Sequence, residues 1–125
     1  MSVTPYLTLT DANKAIEFYK KAFNAIEKQR MPSEDGKKLM HAELEIAGGR
    51  LFLSDDFQNA GGAPAKASVF LGLDKAKQVD QLAASAKAAG AKITTEPQDM
   101  FWGDRFADLT DPFGHRWMIG APKEG

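Results

Sequence analysis

The chain contains no cysteine, which excludes disulfide bonds, thiolate metal sites and a cysteine nucleophile. It also lacks any apolar run long enough to span a membrane, and its first residues lack the basic and apolar segments of a signal peptide. No long run of one charge sign occurs either, and the net charge is only −1. We therefore expect a soluble, cytoplasmic protein that binds neither nucleic acid nor membranes.

Motifs of several enzyme classes are missing as well. There is no Gly-rich phosphate or dinucleotide fingerprint between a strand and a helix, and there is no serine nucleophile elbow. With 125 residues, 43% of them hydrophobic, the chain is long enough to bury the core of one domain spanning residues 1–125. This composition favours a small neutral or mildly charged molecule as the partner.

Apolar residues at helical spacing predict two amphipathic helices. The first begins after Asp11 as its N-cap and the second after Asp74, while Gly90 ends the second helix as a C-cap. The residues expected to be buried are Ala12, Ala15, Ile16, Tyr19 and Phe23 in the first helix, and Val79, Leu82, Ala83 and Ala86 in the second.

Alternating apolar and polar residues predict the strands. Both halves of the chain give the order strand, helix, strand, strand, strand, which indicates an α+β fold. The predicted strands are Val3–Leu9, Ile26–Met31, Leu39–Ile46, Arg50–Ser54, Ser68–Leu73, Ala91–Thr95, one within the hairpin at 100–117, and Arg116–Ile119.

The two halves also match residue by residue. YLTLTDANKAIEFY lies over FLGLDKAKQVDQL, and HAELEIAGGRLFL lies over FADLTDPFGHRWMI, at an offset of about 64 residues in both places. This repetition predicts tandem βαβββ modules. Module 1 spans residues 1–57, an aperiodic linker rich in Gly and Ala spans 58–66, and module 2 spans 67–122.

The most distinctive stretch is MFWGDRFADLTDPFGHRW at 100–117, which holds five of the ten Phe and Trp residues of the chain. Two Gly-centred breaks divide it into an aromatic loop, a short strand and a turn before the last strand. Most of its rings are predicted to lie in the core. Trp102 is the exception, because its neighbours are Gly103 and two charged residues, and we expect it to contact ligand or guard a cavity mouth. His115 is expected to hydrogen-bond within its turn.

Five segments stand out along the chain: TDANKAIEFYKKAF at 10–23, the Asp35-Gly36 turn, HAEL at 41–44, FWGDR at 101–105 and DPFGHRW at 111–117. With these segments the sequence resembles the vicinal oxygen chelate superfamily of glyoxalases, bleomycin resistance proteins and dioxygenases, and above all its PhnB-like branch. The resemblance implies that each module curls into an incomplete barrel, with helices on the convex side and a ligand cavity on the concave side. It also implies a homodimer, since many relatives form one.

Strand alternation then assigns the two faces of each sheet. The apolar set of each strand is expected under the helices, and the other set is expected to line the cavity. This second set mixes hydroxyls, rings and carboxylates, as a small-molecule site requires. Its members are Thr4, Tyr6, Thr8, His41, Glu43, Glu45, Arg50, Phe52, Ser54, Ser68, Phe70, Phe106, Asp108 and Met118.

Two features are candidates for chemistry or anion binding. His41 and Glu43 lie two apart on one strand and could act as a general base with its carboxylate partner, or form a structural pair. Arg105 could bind a ligand carboxylate or phosphate through its planar donors, or pair with Asp104 or Glu96 at the surface. The predicted ligand contacts are Tyr6, Phe52, Phe70, Trp102, Arg105, Phe106 and Met118.

The resemblance also bears on metal binding. Many enzymes of this superfamily take His, Gln or Glu ligands for a divalent metal from the first and last strands of each module. The corresponding residues here are Thr4, Ser68, Phe52 and Met118, and none is a strong ligand for a transition metal. We therefore predict that the protein holds no metal at this site and needs no cofactor.

Two functions remain open. The first is a binding protein that sequesters or carries a small aromatic or amphipathic molecule, which the aromatic loop and the Phe-rich lining favour. The second is an enzyme with lyase or isomerase activity, using His41 and Glu43 for acid–base chemistry or a relocated metal site. The sequence leaves open whether the protein is an enzyme.

Overall fold

The first module forms one mixed sheet with a helix across it. In the computed structural model, which describes residues 2–57 and 64–123, this module consists of β1 (Tyr6–Leu9), α1 (Ala12–Phe23), β2 (Ile26–Pro32), β3 (Leu39–Ile46) and β4 (Gly49–Asp55). The strands lie in the order β1-β4-β3-β2, with β1 parallel to β4 and the other neighbours antiparallel. Most of the predicted linker 58–66 lies outside the described residues.

The second module repeats this plan with β5 (Ser68–Gly72), α2 (Ala76–Ala89), β6 (Lys92–Asp99), β7 (Asp104–Thr110) and β8 (Arg116–Pro122). Its strands lie in the order β5-β8-β7-β6, again with one parallel pair, β5 and β8. The two sheets are separate and unclosed. This confirms the predicted α+β fold of tandem βαβββ modules in an incomplete barrel.

The strand registers show which residues are equivalent in the two modules. In the first sheet, Phe52 of β4 lies opposite Tyr6 of β1 and Glu43 of β3. In the second sheet, Met118 of β8 lies opposite Phe70 of β5 and Asp108 of β7. Tyr6 therefore corresponds to Phe70, Phe52 to Met118, and Glu43 to Asp108.

Helix α1 begins and ends at residues suited to those positions. The Asp11 carboxylate accepts a hydrogen bond from the Lys14 amide at 3.1 Å, which confirms the predicted N-cap. At the other end Asn24 adopts a left-handed conformation, with φ 58°, which turns the chain toward β2. The predicted stripe of Ala12, Ala15, Ile16, Tyr19 and Phe23 is buried.

Helix α2 begins one residue later than predicted, with Lys75 rather than Asp74 as its N-cap. The side-chain oxygen of Gln78 accepts hydrogen bonds from the amides of Asp74 and Lys75 at 3.1 and 2.9 Å, so the helix start is satisfied from within the helix. Gly90 ends the helix as predicted, with φ 120°. Val79, Ala83 and Ala86 are buried, and Leu82 is partly buried. Within the described residues, no helix combines the length and hydropathy that a membrane span needs.

Several strands differ from their predicted bounds by one residue at an end, and three differ by three residues or more: β1, β6 and β8, which continues to Pro122 rather than ending at Ile119. β1 begins at Tyr6 rather than Val3, because Pro5 has no N–H to donate to the neighbouring strand. β6 continues to Asp99 rather than ending at Thr95, through irregular pairing with β7 that sequence alternation does not reveal.

A bulge changes which residues of β3 face the core. The pairing of β2 with β3 shifts register between Met31 and Pro32. As a result Leu39 is buried, whereas Met40, which we expected in the core, is 56% exposed. The alternation predicted for the rest of β3 is observed, with Ala42 and Leu44 buried.

The helices cover one face of each sheet and pack against each other. Strand residues such as Leu7, Leu44 and Ala107 are buried beneath them. Helix α1 contacts α2, and the Ser85 hydroxyl donates a hydrogen bond to the Ala22 carbonyl at 2.5 Å. Within the described residues, neither helix covers the opposite face of a sheet, which we call the helix-free face.

Candidate functional site

Three rings meet on the helix-free face of the first module. Tyr6 on β1, His41 on β3 and Phe52 on β4 alternate with the residues buried under α1. The centroid of the His41 ring lies 4.9 Å from that of Phe52 and 5.8 Å from that of Tyr6. Tyr6 and Phe52 are 6.4 Å apart and meet edge to face. These are favourable ring contacts, and we call the three residues the ring cluster.

An ion pair lies beside the ring cluster. The Glu43 carboxylate accepts hydrogen bonds from Nε and Nη2 of Arg50, each at 3.2 Å. The Arg50 guanidinium lies 5.6 Å from the centroid of Phe52, within the range of a cation–π contact. Glu43 is thus paired with Arg50. The structure does not bring it into the hydrogen-bonded pair with His41 that the proposed acid–base chemistry would use.

A cavity of about 380 Å³ opens against the same face. Tyr6 joins this cavity to the ring cluster, while Thr8 and Ser54 contribute hydroxyl groups to it. The full lining is Tyr6, Thr8, Met40, Ser54, Asp55, Asp56 and Phe57. A wall of rings and hydroxyls suits a small molecule that has both apolar and polar parts.

The helix-free face of the second module is more apolar. At the positions equivalent to the ring cluster it carries Phe70, Phe106 and Met118. The Phe70 ring lies over Gly120, where an added Cβ would come within 2.8 Å of the ring. Gly120 is therefore the residue that lets Phe70 lie against the sheet.

This second face repeats the ion pair of the first. Nε of Arg116 donates to the two carboxylate oxygens of Asp108 at 3.0 and 3.1 Å, and Nη2 also contacts that carboxylate. The hydrogen bonds that Arg116 donates to Asp108 raise the pKa of Arg116. Asp108 is buried although its side chain lies on the helix-free face.

Trp102 lies at the rim of the second face. Its ring centroid is 5.9 Å from that of Phe106 and 5.0 Å from that of Phe101. The turn that carries it closes through a hydrogen bond from the Gly103 amide to the Met100 carbonyl at 3.1 Å. Trp102 is 49% exposed, as expected for a presented ring, and its contact with a ligand stays a prediction.

Arg105 lies on the helix side of β7. Its Nε donates to Asp80 on α2 at 3.0 Å, and its Nη1 donates to Asp99 at 3.2 Å. Both hydrogen bonds raise the pKa of Arg105, and the one to Asp80 has the larger effect. Arg105 is therefore an ion-pair partner on the helix side of the sheet and does not lie on the helix-free face, because successive strand residues point to opposite sides. Its partners differ from the expected Asp104 and Glu96.

Asp111, in the turn between β7 and β8, joins the two modules. Its Oδ2 accepts hydrogen bonds from the Tyr19 hydroxyl at 2.6 Å and from the Trp117 indole N–H at 2.9 Å. Its Oδ1 accepts from the amides of Phe113 and His115, each at 2.9 Å. The carboxylate is almost fully buried and satisfies four donors. We call this arrangement the Asp111 junction.

His115 bridges the modules at a second point. Its Nδ1 accepts a hydrogen bond from the Ala67 amide at 3.0 Å, and its Nε2 lies 3.1 Å from the Thr8 carbonyl. Because Nδ1 accepts, the proton lies on Nε2 and is donated to Thr8. His115 also hydrogen-bonds within its turn, as expected, but through its backbone: its amide donates to Asp111 Oδ1 and its carbonyl accepts from the Asp111 amide, each at 2.9 Å.

Sequence reasoning did not find the Asp111 junction. The Asp-Pro-Phe-Gly stretch indicated a turn, and an Asp before Pro often bonds nearby amides. Nothing local, however, connects it with Tyr19 in the first module. Burial of the Tyr19 hydroxyl, with the charge of Asp111 beside it, raises the pKa of Tyr19 far above its usual value.

The residues at the metal positions of the superfamily do not fit a divalent metal. Phe52 offers no donor, Met118 offers a thioether, and Thr4 and Ser68 offer hydroxyls. Within residues 2–57 and 64–123, no three His, Asp or Glu side chains cluster closely enough to hold a metal ion. Metal-free binding stays a prediction.

The fold and these faces first define a class of protein. Two βαβββ modules, each with a helix on one side and an open face on the other, are the architecture of the vicinal oxygen chelate proteins. Residues 3–119 match the Glyoxalase/Bleomycin resistance protein/Dioxygenase superfamily. The chain belongs to this superfamily.

Individual relatives agree with this assignment. The protein Mb0911c of Mycobacterium bovis is 39% identical over 127 residues, covering 97% of this chain and 83% of the relative. The crystal structure of TioX from Micromonospora sp. ML1 is 25% identical, covers 98% of both chains and superposes with a TM-score of 0.79. The PhnB protein from Bacillus cereus is 16% identical, with a TM-score of 0.72 over 97% of this chain and 99% of that one. At that identity it shows the fold alone, so the PhnB-like branch stays a prediction.

Proposed function

We propose that the protein binds a small aromatic or amphipathic molecule on its helix-free faces, without a metal ion. The observation that carries this proposal is the ring cluster of Tyr6, His41 and Phe52, which lies beside the Glu43–Arg50 ion pair and the cavity of about 380 Å³. The rings offer stacking surface, and the hydroxyls and charges around them fix orientation. This combination suits a planar ligand with a few polar groups.

The second module supports the same proposal with a different lining. Phe70 is 54% exposed and Trp102 is 49% exposed, although both are large rings. Phe106 and Met118 lie between them on the same face. Exposed rings grouped in this way are typical of a surface that binds something apolar.

Binding can be tested by titrating the protein with a library of small aromatic metabolites and antibiotics. Tryptophan fluorescence and amide chemical shifts are the readouts, and Trp102→Phe separates the signal of Trp102 from that of buried Trp117. For any hit, we expect Phe52→Ala and His41→Ala to weaken affinity about tenfold each. Lys21→Ala, on the solvent side of α1, is the control that should change nothing. Hits whose affinity is unaffected by both ring-cluster changes would overturn the proposal.

Acid–base catalysis by His41 is the second candidate function. The observation that favours it is that the imidazole is held between two rings and only half buried, so a substrate on the helix-free face could reach it. The same library should be assayed for lyase and isomerase turnover. His41→Gln would then abolish turnover while leaving substrate binding largely intact. Turnover that survives this change would exclude His41 as the base.

We also propose a homodimer, which rests on the resemblance to dimeric relatives. The exposed rings of the second module, Phe70 at 54% and Phe101 at 94%, are compatible with burial against a second copy. Light scattering at micromolar concentration should give twice the mass of the 13.6 kDa chain. A mass equal to one chain would contradict the proposal.

A further inference from the structure

A cleft of about 240 Å³ lies between the two modules, apart from the cavity of the first helix-free face. It opens between β5 and the part of the first module formed by the segment before β1 and the turn from β3 to β4. Residues of both modules line it: Val3, Pro5, Ile46, Ala47, Gly49, Arg50, Leu51, Val69, Phe70, Leu71, Gly72 and Trp117. One of these twelve side chains, that of Arg50, carries a charge.

The inner wall of the cleft is apolar. Leu51, Leu71 and Trp117 belong to the buried core, and Ile46 lies beside them with 5% exposure. An empty space bounded by such side chains favours an apolar group over water, because the wall offers no hydrogen bonds to replace those that water would lose.

The rim of the cleft carries unpaired backbone groups. β1 and β5 are edge strands, each bonded to one neighbour within the described residues. The Leu73 amide donates to Gly120 of β8, and the Ala67 carbonyl accepts from Arg116. Because backbone groups alternate in direction along a strand, the amides between them on Phe70 and Gly72 point away from β8, toward the cleft.

Arg50 supplies a charged donor at the same rim. Its Nε and Nη2 bond to Glu43, while within the described part of the chain Nη1 makes no hydrogen bond. Ion pairing with Glu43 holds the guanidinium plane in place. Nη1 and the edge amides of β5 together could bind one carboxylate.

We propose that this cleft binds a small carboxylic acid with an apolar body, such as an aryl or alkyl carboxylate. The apolar body enters between the modules against Val69 and Phe70, with Leu71 behind them, and the carboxylate stays at the rim on Arg50. The site shares Arg50 with the ion pair beside the ring cluster, but Tyr6, His41 and Phe52 do not line the cleft. Binding in the cleft can therefore be tested separately from the function proposed above.

The test uses 2-naphthoate as the probe, followed by calorimetry and by amide chemical shifts of the full chain. We expect binding with the largest shifts at Val69–Gly72. The neutral analogue 2-naphthalenemethanol should bind about tenfold more weakly, because it has no charge for Arg50. Arg50→Gln should lower the affinity for 2-naphthoate by a similar factor. Arg116→Gln removes the equivalent arginine of the second module, which does not line the cleft, and should change nothing.

A graded pair of substitutions tests the location independently of charge. Gly72→Ala should retain binding, because an added Cβ there would make only ordinary contact, 3.7 Å from the Phe70 ring. Gly72→Leu should abolish binding, because the larger side chain fills the mouth of the cleft. An unchanged melting temperature would show that this variant is folded. Lys21→Ala, on the solvent side of α1, should leave 2-naphthoate binding as it is. No binding at millimolar probe, or full binding to folded Gly72→Leu, would each overturn the proposal.

Discussion

The two modules share a frame and differ in what they present on it. Each carries an arginine on its fourth strand paired with a carboxylate on its third: Arg50 with Glu43, and Arg116 with Asp108. Around these pairs the first module has rings with polar atoms, Tyr6 and His41, where the second has apolar phenylalanines. Side chains on the helix-free face do not build the core, so they could diverge after duplication without loss of the fold.

The modules also differ in the carboxylate that fixes each one. Asp55, at the end of β4, accepts hydrogen bonds from the amides of Ala12 at 3.0 Å and Leu39 at 2.7 Å, and so fastens the start of α1 to the sheet. The equivalent position in β8 is Ala121, which has no acceptor. The second module is instead joined to the first through Asp111. Duplicated modules can thus reach the same fold with anchors at different positions.

The largest effect should come from Asp111→Ala, which removes the contact that only the second module has. Four donors, among them the buried Tyr19 hydroxyl and Trp117 indole, would lose their acceptor. We expect the free energy of unfolding in urea to fall by roughly 3–5 kcal/mol. Asp99→Ala is the matched control at an exposed site and should cost less than about 1 kcal/mol. Equal costs for the two variants would show that the junction is not an anchor.

A second test compares how the two helices begin. Asp55→Ala should lower the free energy of unfolding by about 2–3 kcal/mol, because two buried amides lose a charged acceptor. Gln78→Ala, which removes the acceptor at the start of α2, should cost about 1 kcal/mol, since that site is exposed. The same urea titrations measure both. A larger loss for Gln78→Ala would reverse the proposed order of the two anchors.

The pH dependence of stability offers a third test of the difference between the modules. Tyr19 in α1 has a titratable hydroxyl, whereas Ala83, at the equivalent position in α2, has none. Burial, reinforced by Asp111, raises the pKa of Tyr19 in the folded protein, whereas in the unfolded chain it stays near 10. Above this pH the unfolded chain releases a proton that the folded protein keeps. The contribution of Tyr19 to the free energy of unfolding should therefore be fully present below about pH 10. Above this pH, the free energy of unfolding should fall by up to about 1.4 kcal/mol per pH unit.

Tyr19→Phe should reduce that alkaline loss of stability. The variant keeps the ring and removes only the hydroxyl, so the comparison concerns the slope of stability against pH and not its absolute value. Tyr6→Phe is the control on the exposed tyrosine and should keep the slope of the unmodified protein. An identical slope for Tyr19→Phe and the unmodified protein would be evidence against the proposed coupling.

The smallest effect is expected for Arg105→Gln, on the helix side of the second module. Its partners Asp80 and Asp99 have side chains 49% and 59% exposed, so water screens both pairs. Thermal melts should show a loss below about 1 kcal/mol that shrinks further in high salt. Ligand affinity at the helix-free faces should not change. A loss of affinity would show that Arg105 contributes to ligand binding, as the sequence suggested.

Much of the fold follows from local patterns. The helix that begins after Asp11, the alternation in 42–46 and the repeat of the two halves are each encoded within a few neighbouring residues, and the structure confirms them. The predictions failed where another interaction overrode a local sequence preference. Pro5 shortened β1, the bulge at Leu39 turned Met40 outward, and Gln78 made Asp74 unnecessary as a cap.

For the residues of the ring cluster, the sequence predicted the shared face but not the hydrogen-bond partners around them. Tyr6, His41 and Phe52 lie on one face because their strands alternate, and that much is a property of the sequence. The choice of Arg50 rather than His41 as the partner of Glu43 depends on the pairing of β3 with β4. Likewise, Arg105 finds Asp80 only because α2 packs on β7.

The sequence by itself therefore determined the order of helices and strands, the duplication and, for most strand residues, the side of the sheet on which each one lies. These depend on spacing along the chain, which is visible without coordinates. The tertiary structure alone decided the Asp111 junction, the bridge of His115 to Thr8 and the cleft between the two modules. Each joins residues far apart in sequence, and hydrogen bonding has no sequence period by which such distant partners could be recognised.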